Sequence, residues 1–424
     1  MPIARKIAAD NQADIVVIGA GIVGMLCAWQ LLLDGHRVTV IDRLDPGGGC
    51  SFGNACMISP GAVVPYNSPT TLWKVPGWLF SPTGPLIVRW RGLSRSFPWL
   101  AAWVCSSTTE ECMRTGRGMA ALHAGSIEAY RTLLEDIGAS DLLCQNGQIQ
   151  VSRRPNTFDP SELVKVLRGE FGVNTHVLDA GDLHDIVPAL SESFVSGILF
   201  PNNGHVLSSH RVVRSVAEAF QRAGGQFVKG DVSGFNVENN RVSGIRLNEA
   251  VVAADKIIIA AGIGSRHLLK MLGTDVPLQA ERGYHLTLSD ACISLPCPVS
   301  NADRSFAVTP MEEGIRLAGT VEIADETCQP NWRRSTMLGE LGKEMFPDLN
   351  VEPASRWMGS RPSFPDGLPI LGPYSKLNNL ILAFGNGHYG MTAAPKMAEV
   401  VAAIAADRPV PIDISSYAVE RWMQ

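Results

Sequence analysis

The chain has 424 residues, 46% of them hydrophobic and 18% charged, with a formal net charge of −5. This is a globular composition, long enough for about two or three domains, and it carries no basic excess that would suit nucleic acid. Its nine cysteines form no CxxC pair and no Cys/His cluster at zinc spacing, which argues against a disulfide framework, a metal site or an iron–sulfur centre.

The opening "MPIARKIAADNQAD" has positive charge but no apolar core behind it, so it does not read as a secretory signal. No apolar run of about 18 residues follows anywhere, so a transmembrane helix is not expected. Reduced thiols and these absences together predict a cytoplasmic protein.

The first element is a strand over Asp14–Ile18, followed by a glycine turn, a helix from Ile22 to about Asp34 and a strand over Arg37–Ile41 that runs into Asp42. Gly35 stands just past the helix, where a left-handed residue closes the last turn. The glycines fall as Gly19-x-Gly21-x-x-Gly24, with Asp42 18 residues beyond Gly24. The three glycines do different things. Gly19 allows the tight turn, Gly21 lets a pyrophosphate approach the backbone, and Gly24 lets helix and strand pack closely. The free N–H groups and partial positive charge of the helix start favour the diphosphate. Asp42 is placed to accept hydrogen bonds from ribose hydroxyls. Strand, turn, helix, strand and terminal acid together predict an ADP-containing dinucleotide. They do not choose between NAD and FAD.

A loop rich in glycine, serine and asparagine follows, "DPGGGCSFGNACMISPG". The segment Leu72–Val104 then gathers Trp73, Trp78, Trp90, Trp99 and Trp103 with several basic residues. Two readings stand: a membrane or partner surface, and a helical segment with its aromatics in the core. A helical pattern runs from Thr115 to Ile137, then strands are predicted at "GQIQVSR" and "GILFPNNGHV". "SSHRVVRSVAEAFQRAGG" is a helix with a serine cap. "GQFVKGDVSGFNVENNRVSGIRLN" predicts antiparallel strands with a hairpin at Glu238–Asn240. "ADKIIIAAGIGSRHLLKML" is a buried strand, a small-residue turn and a helix. Strand-rich sequence returns from Gly283 to Ala324. The chain ends on "RWMGSRPSFPDGLPILG" and then "NNLILAFGNGHYGMTAAPKMAEVVAAIA", a strand, a glycine turn and a helix, with Pro395 read as lying early in that helix, where proline is tolerated. Nucleotide-like units thus occur at the start, near residue 260 and at the end, which predicts one domain assembled from separated pieces and a second inserted twice.

Four stretches carry a family resemblance. They are the fingerprint ending in "VIDR", the loop "CSFGNACMISPG", the strand-turn "IIIAAGIGS", and the pair "GSRPSFPDGLPILG" with "GNGHYGMT". In them the chain resembles the D-amino acid oxidase-like family of FAD-dependent oxidoreductases, nearest to bacterial D-amino acid dehydrogenases and hydroxyproline or proline dehydrogenases. The resemblance implies an α/β fold: a Rossmann-like FAD-binding domain from segments 13–62, 203–279 and 356–424, and an α+β substrate domain on a mainly antiparallel sheet from 63–202 and 280–355. It implies hydride transfer from an amino or imino acid Cα to flavin N5, in amino acid catabolism.

By the same resemblance the cofactor contacts are Gly19, Ala20, Gly21, Ile22, Val23, Gly24, Asp42, Arg43, Ser51, Asn54, Ala55, Val232, Ala261, Gly262, Gly387, Tyr389, Gly390, Met391 and Thr392. Arg361 would grip the substrate carboxylate with a planar fork, its structural alternative being an ion pair with Asp366. His388, Tyr389, His285 and Tyr284 are candidate pocket residues. No attachment residue for a covalent flavin has a clear match, although Cys50 and Cys56 lie in the flavin loop, so non-covalent FAD is expected and no metal. The implied partners are a small amino or imino acid and an undetermined electron acceptor (a quinone, oxygen or a partner subunit), with peripheral membrane or protein contact through 72–104 and no nucleic acid. Two alternatives remain: an NAD(P)-dependent dehydrogenase, and a flavin subunit of a larger electron-transfer complex.

Overall fold

The structure is a computed structural model; it describes residues 14–81, 83–89, 93–248, 250–324 and 328–423. Trp90 therefore lies outside the described residues.

Six strands form one sheet in the order Gln226–Lys229, Arg37–Asp42, Asp14–Ile18, Lys256–Ile259, Leu380–Phe384 and Ile370–Pro373. All neighbours are parallel except the last pair. Strands buried on both faces need near-continuous apolar sequence, and "KIII" and "LILAF" supply it. The helix Ile22–Leu33 crosses between the first two strands and packs on the closing helix Gly390–Ala405. Gly35, at φ +95°, ends the first helix as its position in the sequence predicts. The two ends of the chain thus share one core.

A second, nine-stranded sheet is mainly antiparallel. Its edge strand Ala354–Ser363 pairs with Gln279–Leu288, which pairs with Gly314–Ile323. A separate apolar core lies on its far face, under the helix Arg333–Met345. Among the described residues no helix is long and apolar enough to cross a membrane.

Four sequence expectations change. The helical pattern over 115–137 is two helices, Thr109–His123 and Ser126–Asp136, because Gly125 adopts φ +70° between them. Gln226–Lys229 joins the parallel sheet instead of the antiparallel unit; that unit is Val232–Glu238, Arg241–Leu247 and Ala250–Val252. Its hairpin turns at Asn239 and Asn240, both with positive φ, a pairing whose twist suits a two-residue turn. Pro395 sits inside the closing helix and not at its first turn. Proline there frees the carbonyl four residues back, and the Tyr130 hydroxyl donates to that carbonyl, Met391 O, at 2.8 Å. The tryptophans of 72–104 divide: Trp99 is buried, its indole N–H donating to Ser363 O at 3.1 Å, whereas Trp73 is 88% exposed.

Candidate active site

The glycine turn fixes the geometry at the start of the site. Gly19 has φ +117°, and a Cβ there would stand 2.4 Å from Ala260 O. A Cβ on Gly24 would stand 1.9 Å from Gly19 O, so helix and strand approach as closely as backbone allows. The Asp42 carboxylate accepts the Ala20 N–H at 2.7 Å and the Leu44 N–H at 2.9 Å. Ser51 Oγ accepts the Ile22 N–H at 3.0 Å, which ties the following loop to the helix start.

A cavity of about 1070 Å3 runs from this turn along the loop 48–51, past Asp231 and Val232, to the edge strand at 357–360 and Pro362 and to the turn 383–387 with Gly390 and Met391; Arg361 and His388 stand off its wall. Its walls include Gly19, Ala20, Gly21, Ile22, Val23, Asp42, Arg43, Ser51, Asn54, Val232, Ala261, Gly262, Gly387, Gly390 and Met391. Four other candidates stand off the wall. Gly24 packs on Gly19; the Ala55 carbonyl accepts from Thr309 Oγ1 at 2.9 Å; Thr392 Oγ1 accepts the Ser59 N–H at 3.1 Å; and Tyr389 lies behind, stacked on Tyr66 at 5.7 Å and against His123 at 5.0 Å. Burial holds the Tyr389 hydroxyl well above the ordinary tyrosine range.

Wall residues that the sequence did not single out include Asp45, Arg266 and Trp357, and Cys50 of the flavin loop also lines the cavity. The Trp357 ring lies flat between Gly53 and Gly359, where an added Cβ would come within 2.0 Å of it at either glycine, and stacks on His285 at 5.1 Å. Burial, reinforced by nearby Arg316, lowers the His285 pKa to about 3, so the ring is neutral. Buried Arg316 donates to Phe52 O at 3.2 Å and Asn54 O at 2.9 Å, holding the 50–56 loop against the sheet. Burial raises the Cys50 thiol, and that of Cys56, above the usual cysteine value, which disfavours the nucleophilic thiolate.

Strand alternation decides which candidates meet. Glu281, Gly283 and His285 pair directly with Arg361, Gly359 and Trp357 and share one sheet face. The Arg361 guanidinium lies over Gly283, with a donor to Thr320 O at 3.1 Å. It makes no pair with Asp366, which is bound by Arg421 at 2.9 Å. His388 Nε2 lies 3.0 Å from Glu281 Oε2. Burial would raise the Glu281 carboxyl, but His388, Arg361 and Ser363 bring it below the ordinary value. Tyr284 points to the opposite face, with its hydroxyl hydrogen-bonded to Glu322 and accepting the Asn331 N–H at 2.9 Å. It belongs to the far core and not to the cavity side, because adjacent residues of a strand cannot share a face.

A groove whose wall includes two glycine turns, each opening a helix, fits a dinucleotide with a large ring system. These features define a dinucleotide-dependent oxidoreductase. The model of the FAD dependent oxidoreductase (DAO) family matches residues 14–404, and the chain belongs to that family. FAD is therefore the cofactor, which resolves the choice the glycine turn left open. The chain is 32% identical over 416 residues to a D-amino-acid oxidase of Bradyrhizobium diazoefficiens, covering 96% of this chain and 99% of the relative. It is 29% identical over 418 residues to a D-amino acid dehydrogenase of Granulibacter bethesdensis, covering 96% and 99%. Among solved structures it resembles L-proline dehydrogenase from P. horikoshii, at TM-score 0.73 and 19% identity over 97% of this chain and 98% of the other.

Proposed function

We propose that the protein oxidises the C–N bond of a D-amino acid or a cyclic imino acid of the D-proline or hydroxyproline type. The observation that carries this reading is Arg361, a planar cation whose guanidinium lies over Gly283 on the sheet face it shares with Trp357, a wall residue of the groove, with the Glu281 carboxylate paired beside it. FAD, when bound, supplies the two-electron acceptor for the hydride of Cα. Asp42 and the turn Gly19–Gly24 hold its ribose and diphosphate. The N–H groups at the start of the helix Gly390–Ala405, on the groove wall, would favour negative charge on the ring of the reduced cofactor. Arg361 takes both oxygens of the substrate carboxylate and so orients Cα–H. The cofactor is held without a covalent link in this reading, so acid precipitation of the holoenzyme should release the yellow colour, and colour retained on the protein would overturn it. The six-stranded sheet with the helices packed on it is the cofactor domain, and the nine-stranded sheet, with Ala354–Ser363 at its edge, is the substrate domain.

Reduction of the bound flavin by a panel of D- and L-amino acids and proline analogues tests this, with dye reduction and oxygen uptake followed in parallel. Bleaching by a D-amino or imino acid supports the reading. A panel that leaves the oxidised spectrum intact overturns it. Electron delivery to a membrane or a partner subunit is favoured by the exposed Trp73 and Phe97 in a stretch with no acid between Asp45 and Glu110. Trp73→Ser then lowers co-sedimentation with anionic vesicles, and unchanged binding counts against it.

A further inference from the structure

Beside the flavin groove lies a second cavity of about 50 Å3, which shares Gly385, Asn386 and Gly387 with the large one. Glu281, His388, Tyr66 and Trp103 also line it. We propose that His388 accepts the proton that a substrate ammonium must lose before its Cα–H can leave, and that Glu281 is the positioning residue that orients His388. This rests on the amino acid oxidation proposed above.

Glu281 Oε2 lies 3.0 Å from His388 Nε2. A carboxylate only accepts, so the neutral imidazole carries its hydrogen on Nε2 and a lone pair on Nδ1. Nδ1 has no protein partner among the described residues. Asn386, 8% exposed and on the wall of both cavities, keeps a buried Oδ1 without a partner, an acceptor for an amine N–H. The titratable and charged groups around the imidazole are Glu281 and Arg361 from the two strands, Tyr66 from its loop at 4.7 Å, and Tyr389 at the helix start, backed by His123.

The step balances. An ammonium N–H bond breaks, its electron pair stays on nitrogen, and the proton passes to Nδ1 to give an imidazolium facing Glu281. Hydrogen and two electrons then leave Cα for the oxidised FAD, and the nitrogen lone pair forms the C=N bond. Solvent takes the proton from His388.

Anaerobic reduction of the holoenzyme is measured against pH for wild type, His388→Ala and Glu281→Gln. At neutral pH the His388→Ala rate falls about a hundredfold, the acid limb moves to higher pH toward the free amine's own titration, and added imidazole restores part of the rate. Glu281→Gln lowers the neutral-pH rate by less and moves the acid limb to lower pH instead, because an imidazole that has lost its carboxylate neighbour holds a proton less tightly. Binding of benzoate, a carboxylate without an amine, is unchanged in His388→Ala, which separates loss of a base from loss of the fold. Reduction in His388→Ala with the wild-type pH profile overturns the role of His388 alone. A wild-type holoenzyme that no amino acid reduces overturns the underlying reading and this one with it.

Discussion

Arg361 and Gly283 depend on one another. The guanidinium occupies the space above Gly283, where a Cβ would stand 2.3 Å from it. Gly283→Ala therefore displaces Arg361 without touching its chemistry. Both Gly283→Ala and Arg361→Ala should raise KM for a carboxylate substrate about ten- to a hundredfold, the worth of a charge-assisted hydrogen bond, while the flavin spectrum stays intact. Steady-state kinetics with unchanged KM in either variant would refute the placement of Arg361 at the substrate. The sequence singled out Arg361 through the resemblance carried by "SRPSFPDG". Glu281 was not, although the alternation Glu281, Gly283, His285 was there to be read. Pairing it with Arg361 requires knowing which strand lies next to which, and no local signal states that.

At the scale of elements, two contacts hold the ends of the chain to the cofactor groove. Gly24→Ala forces the helix Ile22–Leu33 off the sheet, since the new Cβ would meet Gly19 O at 1.9 Å. Overpacking of this kind costs roughly 1–3 kcal/mol, so a lower Tm and weakened FAD retention are expected together. At the other end, Tyr130→Phe leaves Met391 O without the donor that replaces the N–H missing at Pro395. An unsatisfied buried acceptor costs about 1–3 kcal/mol, which urea denaturation of the holoenzyme would register. Met391 lines the groove, so the loss should be larger for the holoenzyme than for the apoprotein. The helix itself was visible in "GMTAAPKMAEVVAAIA". The proline's position inside it, and the tyrosine that compensates from 261 residues away, were not.

At the scale of the whole molecule, burial lowers the pKa of four histidines among the described residues, His36, His123, His205 and His285. His123 and His205 fall to about 4 and His285 to about 3. Their folded values lie below the unfolded value near 6.5, so the unfolded chain binds protons that the native state refuses. Stability is then full above about pH 6.5 and declines as pH falls toward 4. At about 1.4 kcal/mol per pH unit, each of these last three histidines accounts for roughly 3 kcal/mol of that decline. His205, neither of whose ring nitrogens has a partner among the described residues, is the cleanest case. His205→Leu should flatten the fall of Tm between pH 6.5 and 4, and an unaltered slope would show that the ring is already protonated in the native state.

The sequence by itself determined the nucleotide-binding turn, the strands and helices around it, and the split of the cofactor unit into separated segments. These rest on local rules: glycine where backbone must approach backbone, apolar runs where a strand is buried on both faces, and a strand-turn-helix order repeated at both ends. Tertiary structure decided which side chains converge. It turned Tyr284 away and His285 inward on one strand, broke a continuous helical pattern at Gly125, moved Gln226–Lys229 into the parallel sheet, and brought Glu281 to His388 across 107 residues. Such outcomes depend on register and on contacts between segments far apart in the chain, and the free energy of those contacts is written in no single stretch of residues.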